Sequence, residues 1–174
     1  MPTEHELRAM PEQRGSLAGP GMSDIEVARD LVARADLATL STLALRPAGF
    51  PYGSLVAFAA DEHGRPLLLL SGLAEHTRNL AVCDKASLLV SEPFATDIVA
   101  APRVTIVGTC TRVVAAELAA TRTQYVARHP QAAGWFVDTL HAYQLFRLEP
   151  TELRLIVGFG RLSWLTFDEY SRGR

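Results

Sequence analysis

From residue 37 onwards the sequence alternates between short apolar runs and turn-forming residues, and this alternation limits the fold more than any other feature. The runs are rich in Leu, Val and Ala and have the length of single β-strands, while Pro, Gly and Asp mark the connections. Strands joined by connections this short pair as antiparallel hairpins. The predicted strands cover 37–45, 52–60, 66–70, 86–91 and 103–114, with turns at 46–51 and 61–65.

Short helices are predicted before and between these strands. Ser23-Asp-Ile-Glu26 is a capping-box pattern that begins a helix ending near Asp36. Gly108 predicts a bend or bulge in its strand. Six to seven antiparallel strands with a few helices predict a mainly β fold, a small barrel with helices outside. The remaining predicted elements are helices at 74–82, 115–128 and 131–140, strand, turn and strand over 143–159, and a closing segment at 160–170.

The first 22 residues differ in character from the rest of the chain. Residues 1–22 are polar, contain several Pro and Gly, and show no sustained period, which predicts a mobile tail. Residues 23–174 are then predicted to form a single domain. Pro93 and Pro102 indicate a loop over 92–102.

Charge and apolar run length exclude several classes of partner. The formal net charge of -2 gives no electrostatic basis for binding nucleic acid or an anionic membrane surface. No signal-peptide pattern and no apolar run of membrane-spanning length occur, which predicts a cytoplasmic protein with no membrane partner. Cys83 and Cys110 form no CxxC pair and predict buried, reduced thiols.

Familiar catalytic and metal-binding motifs are missing from the sequence. The five histidines form no HxH, HExxH or HxxxH pattern, so no metal site is predicted from histidine spacing. No GxSxG marks a nucleophile, and no GxGxxG opens a helix after a strand. The catalytic residues are therefore unknown at this stage.

One polar stretch, SGLAEHTRNL (71–80), stands between two predicted buried strands. A helix that begins directly after a strand points unpaired backbone N–H groups and the positive end of its dipole at the space above the strand end. Together with the side chains, these groups suit a phosphate. The alternative is an ordinary solvated helix surface. The side-chain donors are Ser71, His76, Thr77, Arg78 and Asn79.

Five runs, in a fixed order along the chain, carry a family resemblance. They are FPYGSLVAFAADEHGRPLLLLSGLAEHTRNL (50–80), SLLVSE (87–92), RVTIVG (103–108), YVARHPQA (125–132) and VGFGRLSWL (157–165). With these runs the chain resembles the FMN-binding split-barrel superfamily, typified by pyridoxamine 5'-phosphate oxidase, and within it the haem-utilization (HugZ-like) branch. The resemblance covers about residues 25–170, and SGLAEHTRNL is its most specific part. It implies a split β-barrel of the FMN-binding type.

The resemblance implies a homodimer with two FMN sites between the subunits. The strand-to-helix joint would hold the flavin phosphate, with His76 standing where many relatives carry a lysine. Arg78 would supply the permanent charge that a histidine lacks near neutral pH. Gly53 and Ser54 would present backbone groups to the flavin ring, although Gly53 also fits the role of a residue leaving a turn.

Arg103 and Trp164 are two further cofactor-binding candidates. Arg103 begins a strongly apolar strand, so it would pair with a phosphate, with a haem propionate or iron-bound group, or with a carboxylate across the dimer. Trp164 would stack on a flavin or porphyrin, or serve as an interface or core anchor.

Three functions stay open at the level of sequence. The first is a flavin-dependent oxidoreductase that acts on an unknown small substrate, in which FMN performs the chemistry. The second is a haem-binding or haem-degrading protein with His76 as axial ligand and Arg103 as its charged partner. The third is a cofactor-free interaction module. Pyridoxamine-phosphate oxidation itself is not supported, because the C-terminal substrate motif of that enzyme is not matched.

Overall fold

The computed structural model describes residues 21–92, 101–158 and 160–172. The predicted N-terminal tail lies outside these residues except for Gly21 and Met22, and so does most of the predicted loop over 92–102.

In the described ranges, seven antiparallel strands form one sheet in the order β3-β2-β1-β4-β5-β6-β7. Leu67 to Leu70 of β3 also pair with Gln144 to Arg147 of β6, so the first six strands close into a barrel and β7 extends from the far half of β6. The prediction of a mainly β split barrel is confirmed. The strands are β1 (Leu37–Leu45), β2 (Ala48–Ala60), β3 (Pro66–Leu70), β4 (Lys85–Ser91), β5 (Arg103–Arg112), β6 (Gln144–Ile156) and β7 (Leu162–Thr166).

Short helices flank the barrel, as predicted. The capping box is confirmed, because the Glu26 N–H donates to the Ser23 hydroxyl and the Glu26 carboxylate accepts from the Ser23 N–H. The helices are α1 (Asp24–Arg34), α2 (Glu75–Val82), α3 (Leu118–Arg128), a 3-10 helix (Pro130–Val137) and α4 (Phe167–Arg172).

The predicted turn over 46–51 is wrong in its extent. Only Arg46 and Pro47, joined by a cis peptide, make the turn, and β2 begins at Ala48. Pro51 lies inside β2, opposite Leu43 of β1. A proline is tolerated there because β3 pairs only with the last three residues of β2, which leaves the other edge of the early part of β2 free.

The predicted turn within 143–159 is also wrong, because β6 is one continuous strand. Val107 pairs with Glu152 and Gly108 with Pro150, so Thr151 is the extra residue of a bulge. Pro150 and the neighbouring acids Glu149 and Glu152 lie at this bulge. The predicted irregularity at Gly108 is confirmed.

The main core fills the barrel, and helices cover its two ends. Val27 and Leu31 of α1 pack into the same cluster as Leu88 and Ile106 of the barrel wall. Leu80 of α2 joins this cluster from the opposite end, where β3 stops and β4 begins. We call that second end the joint end, since the SGLAEHTRNL segment lies there.

Candidate functional site at the joint end

The joint is the segment Ser71–Leu80, which connects the end of β3 to helix α2. The helix begins at Glu75, close to the predicted start, and lies against β1. Leu80 is buried in the barrel core, which fixes the inner face of the helix. The predicted donors therefore lie close together, and their individual contacts decide what they can bind.

The two hydroxyl groups of the joint are used within the fold. Thr77 is buried, and its hydroxyl donates to the Ser71 carbonyl oxygen at 2.7 Å. The Ser71 hydroxyl donates to the His141 carbonyl oxygen at 3.0 Å and accepts from the Leu73 N–H at 3.2 Å. Both side chains thus organise the turn before the helix.

Asn79 is fully buried and ties α2 to β1. Its side-chain nitrogen donates to the Thr42 hydroxyl at 3.0 Å, and its side-chain oxygen accepts from the Leu45 N–H at 3.0 Å. These two hydrogen bonds give partners to the Thr42 hydroxyl and the Leu45 N–H, which the helix would otherwise cover without satisfying them. The amide of Asn79 is therefore committed to the protein.

His76 and Arg78 are the two predicted donors that stay available. The Arg78 guanidinium is exposed and meets the Glu75 carboxylate at 3.4 Å. His76 is half-buried, and burial lowers the pKa of its imidazole below the ordinary value. Among the residues that the structure describes, the His76 ring has no hydrogen-bond partner.

Gly53 and Ser54 lie in the middle of β2, opposite Ser41 and Leu40. Because Gly53 is inside a strand, its interpretation as a residue leaving a turn is wrong. A β-carbon on Gly53 would meet only Thr39 Cγ2, at 3.5 Å, which is an ordinary contact. Packing within this protomer therefore does not require a glycine at that position.

Arg103 and Trp164 lie far from the joint within one protomer. Arg103 begins β5 and pairs with Ser91, whereas the other end of β5, at Arg112, reaches the joint end. At about 3.3 Å per residue, the ten residues of β5 separate the two ends by roughly 30 Å. Trp164 is 58% exposed in β7, with the Arg154 guanidinium 5.4 Å from its ring centroid, so it is not a core anchor.

A row of outward-facing residues crosses the sheet, and sequence reasoning missed it. In register, Thr39 pairs with Leu55 and Leu89, and the row continues through Thr105 and Arg154 to Trp164. Leu55, Leu89 and Trp164 are exposed. We call these six residues the outer row. Their registry depends on strand pairing, which the linear sequence does not show.

A second group that the sequence analysis missed lies against Ser71. The imidazole Nδ1 of His141 lies 2.7 Å from the Asp138 carboxylate, and the His141 carbonyl accepts from the Gly72 N–H at 2.8 Å. The Asp-x-x-His spacing is the signal that could have identified this pair. It places an oriented imidazole beside the joint.

A cavity of about 320 Å³ opens beside α2. Cys110 is one of its lining residues. Burial, and after it the nearby Asp84 carboxylate, raises the pKa of the Cys110 thiol to about 12. This thiol is protonated near neutral pH and has no nucleophilic character there. The lining residues are Thr77, Leu80, Ala81, Cys110, Thr111, Arg112 and Phe146.

No group of three or more His, Cys, Asp or Glu side chains in 21–92, 101–158 and 160–172 is arranged to hold a metal ion. Within those same ranges, no helix has the length and apolar character needed to cross a membrane.

Comparison with known proteins gives consistent matches. The chain is 32% identical over 151 residues to the protein named "Non-canonical heme oxygenase HOZ, chloroplastic" of Arabidopsis thaliana, covering 87% of this chain and 45% of that protein. A heme binding protein from Mycobacterium smegmatis has a similar structure, with a TM-score of 0.78, 31% identity, and coverage of 86% of this chain and 60% of that one. The chain thus spans less than two thirds of either relative.

A shorter relative has the same fold. HutZ, described as the heme storage protein of Vibrio cholerae, matches with a TM-score of 0.58 and 25% identity, over 75% of this chain and 92% of that one. The family described as "CREG, beta-barrel" matches residues 21–172, nearly the whole chain. The predicted resemblance to split-barrel proteins of the haem-utilization type is confirmed, and the chain belongs to the CREG β-barrel family.

Proposed function

We propose that this protein binds haem, as a homodimer, at the joint end of the barrel. The observation that carries the proposal is the commitment of Ser71, Thr77 and Asn79 to internal hydrogen bonds. The sequence predicts that these three side chains help to bind a phosphate. Because the fold uses them internally, the predicted donors that stay available are the His76 imidazole and the Arg78 guanidinium. The names of the Arabidopsis, Mycobacterium and Vibrio relatives support the same ligand.

The groups at the joint end suit a porphyrin chemically. Haem needs apolar contact for its ring, cations for its propionates and a nitrogen ligand for its iron. Exposed Leu73 lies just before α2 and exposed Val82 ends it. Arg78 offers a cation, and the imidazoles of His76 and His141 offer nitrogen atoms. When bound, haem would supply a redox-active iron whose behaviour the surrounding side chains adjust.

The homodimer in this proposal forms through the outer row. Leu55, Leu89 and Trp164 are exposed on a sheet face, and apolar side chains in such a row gain free energy when they leave water. Arg103 and Trp164 lie at the end of the barrel opposite the joint of their own subunit. In a dimer, they would instead lie near the joint of the partner subunit. Arg103 then acts as a charged partner of a ligand held between subunits.

FMN is the competing ligand from the sequence analysis. A flavin phosphate at this joint would depend on Arg78, His76 and the first N–H groups of α2, without the hydroxyls and amide that were expected. We therefore expect FMN to bind more weakly than haem.

Parallel titrations with haemin and with FMN test the proposal. We expect haemin to give a saturable shift of its Soret band and FMN to keep the absorbance and fluorescence of the free flavin. Arg78→Ala should weaken haemin binding, whereas Arg172→Ala, which removes an exposed guanidinium in α4, should not. Tight FMN binding together with an unshifted haemin spectrum would overturn the proposal.

A further inference from the structure

Asp138 fixes both the ring and the backbone of His141. One oxygen of the Asp138 carboxylate lies 2.7 Å from His141 Nδ1, and the other accepts from the N–H groups of Leu140 at 2.9 Å and His141 at 3.1 Å. An ionised carboxylate only accepts hydrogen bonds, so the ring proton sits on Nδ1. Nε2 has no hydrogen-bond partner among the described residues, so in the neutral imidazole its lone pair is available to a ligand.

The backbone at His141 is held against the joint. The His141 carbonyl accepts from the Ser71 hydroxyl at 3.0 Å and from the Gly72 N–H at 2.8 Å. Ala142 follows with φ at 45°, a conformation that a non-glycine residue adopts only when its surroundings impose it. A β-carbon on Gly72 would lie 3.2 Å from the Ala142 carbonyl oxygen, so glycine permits this close approach.

The imidazole of His141 lies next to an aromatic ring, that of Tyr143. The side chain is 45% exposed, and the Tyr143 ring lies 5.7 Å from it between centroids. Trp135 stacks on Tyr143 at 5.5 Å. Leu140 precedes His141 in the chain, Leu73 follows the Gly72 N–H that bonds the His141 carbonyl, and both leucines are exposed. An oriented imidazole with aromatic rings and exposed apolar residues close to it in the fold suits a porphyrin with a coordinating iron.

His76 lacks this support. Its ring has no hydrogen-bond partner in the part of the chain that the structure describes, so nothing fixes its tautomer or orientation. Histidines that bind metals almost always donate their second ring N–H to a carboxylate, a carbonyl or water. By this criterion His141, and not His76, has the geometry of an iron ligand.

We propose that Nε2 of His141 is the iron ligand of the bound haem and that Asp138 orients it. This inference rests on the proposed haem-binding function. Asp138 is a positioning residue, since it contacts the ligating imidazole and not the iron. Apolar and aromatic side chains on the segment from Trp135 to Tyr143 would contact one part of the porphyrin.

The test compares absorbance and electron paramagnetic resonance spectra of haemin complexes for the wild type, His141→Ala, His76→Ala and Asp138→Asn. We expect His141→Ala to lose the histidine-ligated spectrum and added imidazole to restore it, while His76→Ala keeps the spectrum. Asp138→Asn should keep haem but alter its spectrum. His63→Ala, in the exposed turn before β3, is the matched control and should match the wild type.

The outcomes separate the two proposals. If His141→Ala binds haemin with the wild-type spectrum, or if His76→Ala alone loses it, the assignment of His141 is overturned and haem binding stands. If the wild type gives no Soret shift, both proposals fall. In the ligand-free protein, nitrogen NMR should show the His141 proton on Nδ1, and a proton on Nε2 would contradict the role given to Asp138. Far-UV circular dichroism checks that each variant is folded.

Discussion

The side-chain amide of Asn79 donates to the hydroxyl of Thr42 across a buried contact of 3.0 Å. This hydrogen bond joins helix α2 to strand β1 at the joint end and explains why a polar residue stands in an apolar surrounding. The same amide accepts from the Leu45 N–H, so one side chain satisfies two groups of β1. The position of the helix, and with it that of His76 and Arg78, depends on this contact.

Asn79→Ala should lower the free energy of unfolding by about 1–3 kcal/mol, because it leaves the buried Thr42 hydroxyl without its partner and also removes the acceptor of the Leu45 N–H. Urea unfolding followed by circular dichroism measures the change. Arg78→Ala on the exposed face of the same helix is the control, and it should alter stability by less than about 0.5 kcal/mol. Equal stability of the wild type and Asn79→Ala would show that the contact does not hold the helix.

Gly108→Ala should destabilise the barrel by about 3 kcal/mol or more, since a β-carbon there would collide with the backbone carbonyl of Glu149 on β6. Thermal and urea unfolding measure the loss. Gly134→Ala serves as the matched change, because no atom lies within 4 Å of a β-carbon placed there. A Gly108→Ala protein as stable as Gly134→Ala would mean that the bulge relaxes freely.

Cys110 should resist thiol reagents in the folded protein. Its thiol is buried and its pKa is raised to about 12, so almost no thiolate is present near neutral pH. Cys83 is only half-buried and should react first. Timed labelling with iodoacetamide and peptide mass mapping compare the two rates, and Cys110 should reach the rate of Cys83 only in denaturant. Faster labelling of Cys110 in the native state would contradict its burial.

Acid should weaken the attachment of α1 through Asp24. The hydroxyl of Ser163 and the guanidinium of Arg161 hydrogen-bond to the Asp24 carboxylate and lower its pKa below the ordinary value of 3.8, although burial opposes them. A carboxyl whose pKa is depressed by folding stabilises the protein above its unfolded pKa, and this contribution disappears as the pH falls through the folded pKa.

Asp24→Asn should therefore be less stable than the wild type at pH 7, and the difference should shrink below about pH 4 as Asp24 becomes protonated in the wild type. Unfolding curves across this pH range give the measurement. Asp168→Asn, which removes an exposed ion pair with Arg172, should change stability little at any pH. A difference for Asp24→Asn that stays constant down to pH 2 would contradict the sign of the shift.

Local features of the fold could be predicted from the sequence because their causes are local. The capping box needs only Ser23 and Glu26, three residues apart, and both of its hydrogen bonds are present. The early start of β2 could not be predicted, because Pro51 is tolerated only where the strand edge is free, and that depends on where β3 ends its pairing.

The secondary structure of the joint could be predicted from the sequence, but its side-chain contacts could not. SGLAEHTRNL does form a strand-to-helix joint, yet the sequence could not show that Asn79 reaches Thr42, 37 residues away. Nor could it show that Ser71 and the turn holding His141 are bonded to each other. Whether a donor is free for a ligand depends on such contacts between distant residues, and the phosphate prediction was made from the sequence, which does not show them.

Native mass spectrometry of the protein after incubation with equimolar haemin and FMN tests the central claim most directly, because it weighs the assembly and its ligand together. We predict a dimer that carries two haems and no FMN. A monomer without haem, or a dimer that carries FMN in place of haem, would contradict the account.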